Sequence, residues 1–178
     1  MKNRKKLVSI FLSLLLFAGC VEYMITPGAV TVASNNNFTV DISLHHCIGP
    51  FPFTGWYFCT DTSDVYGVGF DLNYDPSRIS FQSIDAASGV LHDVTAVTGF
   101  RNSLTDNGKL VVAVTKSGQV SGEPGEGKVA TITFRALSAG ATDLTFVDPH
   151  LVDSQGKFLV GWPFYWAQLS EASVSITP

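Results

Sequence analysis

The chain has 178 residues, 46% of them hydrophobic and 15% charged, with 11 Lys and Arg against 15 Asp and Glu. That length is enough for one domain with a full core. The acidic balance excludes a nucleic-acid binder, which neutralises phosphates with Lys and Arg, and a protein held on anionic lipid by basic side chains.

The chain opens with a basic stretch, MKNRKK, and an apolar stretch, LVSIFLSLLLFA. The apolar stretch is short for a bilayer span and no stop-transfer charges follow it. It ends in Phe17-Ala18-Gly19-Cys20. This resembles the lipobox of bacterial lipoproteins, with Phe17 where that pattern usually has Leu, Val or Ile. The resemblance implies that residues 1–19 are a signal peptide and that Cys20 is the lipidated N-terminus of the mature chain. It also implies a place in the bacterial cell envelope: outer membrane, periplasm or cell surface. Losing residues 1–19 removes Lys2, Arg4, Lys5 and Lys6 and no acid, so the mature chain is more acidic still. Contact with the membrane is then through the lipid alone, and two or more acyl chains make such anchoring stable. Residues 20–28 read as a short tether, and 29–178 as the domain.

The first strand, FTVDISL (38–44), leads into HHCIGPFPFTGWYFC (45–59). Residues 45–64 read as an aromatic insertion. With Cys20 carrying lipid, Cys47 and Cys59 remain, and export favours a disulfide between them. Closing a loop of that size stabilises by about 3 kcal/mol in the chain-entropy model. Zinc held by His45, His46, Cys47 and Cys59 is the weaker reading, because adjacent histidines on a strand face opposite ways and both cysteines would have to be thiolates. No metal and no cofactor is expected.

Alternation then dominates: VYGVGFDLNY (65–74), RISFQSI (78–84), VTAVTGF (94–100), KLVVAVTK (109–116), KVATITFRA (128–136), TDLTFVD (142–148), KFLVGW (157–162) and ASVSIT (172–177). Turn residues separate them, among them Asp75-Pro76, Asp106-Asn107-Gly108, Gly122 to Gly127, Ser138-Ala139-Gly140 and Gln155-Gly156. About nine short strands at this spacing predict an all-β protein, an antiparallel β-sandwich.

Two of these strands carry a family pattern. Gly69-Phe70-Asp71-Leu72-Asn73-Tyr74-Asp75-Pro76 and Gly127-Lys128-Val129-Ala130-Thr131-Ile132-Thr133-Phe134, in this order and spacing, resemble the cohesin domain over roughly residues 30–177. The resemblance implies a jelly-roll sandwich related to carbohydrate-binding modules, and a binding protein rather than an enzyme. The chain departs from the pattern in two places. The cysteine-bracketed segment is inserted where cohesins have a short loop. Cohesins that capture dockerins often place small polar or acidic residues just before the Phe of the first motif, where this chain has Gly67 and Gly69 flanking Val68.

Other motifs dissolve on inspection. Gly122 to Lys128 has P-loop spacing, but Val129 replaces Ser or Thr, a strand follows rather than a helix, and Glu123 and Glu126 repel an anion. Asp71, Asn73 and Asp75 mimic the start of an EF-hand loop, but Pro76 stands where Gly is needed and Gln82 where Glu is needed. No Gly-x-Ser-x-Gly elbow exists and no carboxylate pair stands out, so no catalytic residue is assigned. Asp148-Pro149-His150 and Asp153 read as turn residues.

A second aromatic segment, Gly161-Trp162-Pro163-Phe164-Tyr165-Trp166, places all three tryptophans in two Pro- and Gly-marked stretches. Either these pack on each other as a satellite core, or they expose an uncharged aromatic surface of the kind that marks a contact site. Trp56, Tyr57, Trp162, Tyr165 and Trp166 are then the candidate contact residues. The expected function is a lipid-anchored, non-catalytic envelope module holding a protein partner, dockerin-type or another envelope protein. A lipoprotein binding polysaccharide through its aromatic loops, or an accessory domain of a secretion or pilus system, is the alternative.

Overall fold

The computed structural model describes residues 19–48, 58–59, 64–91, 94–100, 107–159 and 165–178. They form twelve strands and no helix: β1 (Gly19–Thr26), β2 (Ala29–Ala33), β3 (Asn37–Ile48), β4 (Phe58–Cys59), β5 (Val65–Asn73), β6 (Ile79–Asp85), β7 (Val94–Phe100), β8 (Lys109–Lys116), β9 (Gly127–Ala136), β10 (Gly140–Asp153), β11 (Tyr165–Leu169) and β12 (Ala172–Thr177). One sheet runs β11-β1-β3-β9-β6, with β4 also on β3; the other runs β2-β12-β10-β5-β8-β7. The all-β sandwich expected from the alternation is therefore the fold.

The first and last runs of the chain change sheets together. β1 pairs in parallel with β11, and β2 pairs in parallel with β12. The break between β1 and β2 falls at Pro27-Gly28, and that between β11 and β12 at Ser170-Glu171. Cross-links knit the two breaks: the Ser170 N–H donates to the Tyr23 carbonyl at 2.9 Å, and the Ser173 N–H to that of Gly28 at 3.0 Å.

This arrangement corrects one expectation. Residues 20–28 are not a tether. Most of them lie in β1, whose Tyr23 and Ile25 are 0% and 2% exposed. The alternation of Val21, Tyr23 and Ile25 with Glu22, Met24 and Thr26 was the signal. The run expected as a strand at 157–162 is described only as far as Leu159: Lys157 to Leu159 fold back on β10, with a bridge from Phe158 to Val152 and the Leu159 N–H donating to the Leu151 carbonyl at 2.9 Å, and residues 160–162 lie outside the described part.

The core is the space between the sheets, filled by the inward residues of each strand: Val40, Ile42 and Leu44 of β3, Val68, Phe70 and Leu72 of β5, and Ala130, Ile132 and Phe134 of β9. Two aromatic clusters anchor it. Phe134 stacks on Phe38 at 5.7 Å and meets the edge of Tyr74 at 5.3 Å. Tyr23, Phe70 and Phe146 form the second, with centroid separations of 5.2–6.4 Å. Asp75-Pro76 ends the β5 segment as expected. The Asp75 carboxylate accepts from the Ser77 N–H at 2.9 Å and its carbonyl accepts from the Arg78 N–H at 3.0 Å, which turns the chain into β6.

Candidate functional site

Strand β5 lies in the middle of its sheet, between β10 and β8. Its inward positions are Val68, Phe70 and Leu72, so Gly67, Gly69, Asp71 and Asn73 belong to the outer face. Cross-strand partners continue this face. Gly69 lies between Ala113 and His150, Gly67 between Thr115 and Val152, and Asp71 between Val111 and Val147. With no Cβ at two consecutive outward positions, the sheet carries a groove of about 190 Å³ there, floored by Gly67 and Gly69 and walled by Ala113, Thr115, His150 and Val152.

Packing within the sheet does not demand glycine at position 69. A Cβ there would meet the Val112 carbonyl oxygen at 3.7 Å and His150 Cβ at 3.8 Å, which is ordinary contact. At Gly67 a Cβ would come 2.8 Å from a Val152 methyl, the tip of a side chain. Glycine in a central strand weakens it, and it marks places where another backbone or a ligand comes close.

The wall at His150 depends on a bulge in β10. The register passes from Val147↔Asp71 to His150↔Gly69, and Asp148 takes φ +51°. Pro149 has no N–H to give the ladder, which suits a bulge. From beneath, the Tyr23 hydroxyl donates to the His150 carbonyl at 2.8 Å. Burial pushes the Tyr23 pKa well above the ordinary phenol value, so the hydroxyl remains a donor. Above, the His150 ring lies 5.8 Å from that of Phe158, which is 62% exposed. Asp148-Pro149-His150 therefore shapes the groove from inside a strand, where the sequence suggested a turn. Asp153 does serve a turn, accepting from the Gln155 and Lys157 N–H groups at 2.9 and 2.8 Å.

One end of this face is tied down by charge. Lys116 is buried and pairs with Glu123, whose backbone also bridges to Val65. The Asp64 carboxylate accepts from the Ser154 hydroxyl and from the Gly122 N–H. These bonds, that of Ser154 Oγ first, hold its pKa below the usual carboxylate range. A second cavity, about 370 Å³, lies between Ser88–Val90 and Glu123–Lys128. The charges around it are engaged locally: His45 Nδ1 is 3.8 Å from Glu126, and Lys128 Nζ is 3.9 Å from Asp41. Among the described residues no three His, Cys, Asp or Glu side chains gather as a metal site would require.

Of the candidate residues, Trp56, Tyr57 and Trp162 lie outside the described part. Tyr165 and Trp166 open β11, opposite Gly19 and Cys20 of β1. Cys47 pairs with Cys59 on one side and with Cys20 on the other. The linear sequence does not mark the groove as a site, although Gly67 and Gly69 depart from the family pattern. A Pro within an alternating run, at 149, is the signal that would have marked the bulge.

The geometry is that of a jelly-roll sandwich with a shallow groove on the outer face of one sheet. The family model for the cohesin domain matches residues 58–157, more than half of the chain, and the chain belongs to the cohesin family. Solved structures agree on the fold. A cohesin in the type I cohesin–dockerin complex Coh-OlpC-Doc435 from Clostridium thermocellum superposes with a TM-score of 0.61 at 13% identity, over 90% of this chain and 94% of that one. The non-cellulosomal cohesin from the hyperthermophilic archaeon Archaeoglobus fulgidus gives 0.59 at 11% identity, over 90% and 91%. The cohesin module from a Clostridium perfringens family 33 glycoside hydrolase gives 0.60 at 11%, over 90% and 98%. No curated protein sequence matches the chain.

Proposed function

We propose that this protein is a non-catalytic binding module of the bacterial cell envelope, anchored by lipid on Cys20, that holds a protein partner against the outer face of β10, β5 and β8. The observation that carries this reading is the groove floored by Gly67 and Gly69. An apolar, side-chain-free floor in the centre of a sheet costs strand stability, and it admits a side chain or backbone of a partner to close range. Membership of the cohesin family supports a protein partner, and the OlpC cohesin is known in complex with a dockerin. The anchoring rests on the lipobox. Because β1 runs from Gly19 to Thr26 and buries Tyr23 and Ile25 in the core, a lipid on Cys20 would hold the sandwich close to the bilayer.

Calorimetric titration of the domain against a panel of dockerin modules, with soluble polysaccharides as a parallel arm, tests the binding claim. A protein ligand whose affinity falls on Gly69→Trp supports it. Binding of polysaccharide alone, undiminished in Gly69→Trp, overturns it. For the anchor, a palmitate analogue fed to cells should label the wild type and not Cys20→Ala; equal labelling of both removes the anchor from the proposal.

A further inference from the structure

The sheet places three cysteines in one row. Cys47 on β3 is the direct register partner of Cys20 on β1 and, on its other edge, of Cys59 on β4. Both pairings are antiparallel. Directly opposed residues of antiparallel strands have Cα atoms roughly 4.5–5.5 Å apart, inside the range of about 4.4–6.8 Å that a disulfide spans. Cys20 and Cys59 are two strands apart, roughly 9–10 Å by strand spacing, which is beyond reach of a bridge. Cys47 therefore has two possible partners, and its neighbours have only Cys47.

We infer that the three cysteines form a thiol–disulfide exchange row with Cys47 as its centre, and that lipid on Cys20 locks Cys47 onto Cys59. The chemistry needs no outside oxidant once one bridge exists. The Cys20 thiolate attacks Cys47 Sγ, a Cys20–Cys47 bond forms, the Cys47–Cys59 bond breaks, and Cys59 leaves as thiolate to take up a proton. The order of strands, β1-β3-β4, puts Cys47 in register between Cys20 and Cys59, so that the central cysteine is the one both outer cysteines can reach. A lipid carried on the Cys20 sulfur leaves no thiol there, so the exchange stops and only the bridge that closes the 47–59 loop survives. The lock rests on the lipid reading given above; the row rests on strand register alone.

The full chain provides the test, exported once with its own leader and once with residues 1–19 replaced by a leader that is cleaved without lipid transfer. Free thiols are alkylated and the disulfide-linked peptides mapped by mass spectrometry across glutathione ratios. The unacylated chain should give both Cys20–Cys47 and Cys47–Cys59, and the lipidated chain Cys47–Cys59 alone. In the unacylated Cys59→Ser chain all bridged Cys47 should be joined to Cys20, and in Cys47→Ser no bridge should form. A Cys20–Cys59 peptide, or an unacylated wild type whose Cys20 is alkylated at every ratio, overturns the row. Recovery of Cys20–Cys47 from the chain with its own leader, with no lipid mass on Cys20, overturns the lock and the lipid reading but leaves the row standing.

Discussion

Strands β5 and β9 are the two that carried the family pattern, and each lies inside its sheet rather than at an edge. Inward they are alike: Val68, Phe70 and Leu72 on one, Ala130, Ile132 and Phe134 on the other, all buried. Outward they differ. β9 presents Thr131, Thr133 and Arg135, opposite Asp41, Thr39 and Asn37 of β3. Lys128 Nζ reaches Thr131 at 3.3 Å. That is an ordinary solvated face, with β-branched and charged residues suited to a strand. β5 presents Gly67 and Gly69 among Val111, Ala113, Val147 and Val152. The contrast teaches that the inner half of a strand motif records the fold, while the outer half is free to differ between two strands of one sandwich.

If the inner faces are equivalent, Phe70→Ala and Phe134→Ala should be equally damaging. Each ring sits in an aromatic cluster, and each loss should cost about 3–5 kcal/mol, read from urea midpoints at constant m-value. A markedly smaller cost at Phe70 would mean that the β5 side of the core is looser than its burial shows.

The outer faces should separate in binding. Gly69→Trp fills the groove and should weaken a protein partner at least tenfold, about 1.4 kcal/mol or more. Arg135→Trp, on the exposed face of β9, should leave that affinity within twofold. Equal effects of the two would remove the distinction between the faces.

Glycine chemistry sharpens the same comparison. Gly69→Ala should raise stability by about 0.4–1 kcal/mol, because its Cβ meets only ordinary contacts. Gly127, at the start of β9, has φ +121° and a Val90 methyl 2.5 Å from where a Cβ would lie. Gly127→Ala should instead destabilise by about 1 kcal/mol or more. Thermal unfolding of the two variants side by side gives opposite signs if one glycine serves binding and the other the backbone.

The smallest effect is on pH. Asp64 is held low by the Ser154 hydroxyl first, and Asp75 by the Ser77 hydroxyl and then the Ser77 N–H. A folded pKa below the unfolded one means that the unfolded chain takes up the proton first as pH falls. Each contribution is therefore present in full above the ordinary Asp value of about 3.9 and is lost as pH drops through the lower folded value. Asp64→Asn should flatten the acid limb of the stability profile and converge with the wild type at its lowest pH. An unchanged acid limb would show that Asp64 does not tie the loop ends beside the groove.

Period-2 alternation, turn residues and the two motif strands were enough to find eight of the strands, because a strand half buried in a sandwich must alternate. The same rule marks β1, where Val21, Tyr23 and Ile25 alternate with Glu22, Met24 and Thr26. β4, with only Phe58 and Cys59, is too short to show any period. The Asp148-Pro149 bulge looked like a turn because Pro breaks a ladder in either setting, and only the neighbouring strands show that pairing resumes at His150. Gly67 and Gly69 could be seen in the sequence, but not that Ala113, Thr115, His150 and Val152 surround them, since those residues come from two other strands distant in the chain. The composition likewise supplied three cysteines and the context for a bridge. That Cys47 stands between Cys20 and Cys59 is a matter of register between β1, β3 and β4, which long-range pairing sets and local sequence does not encode.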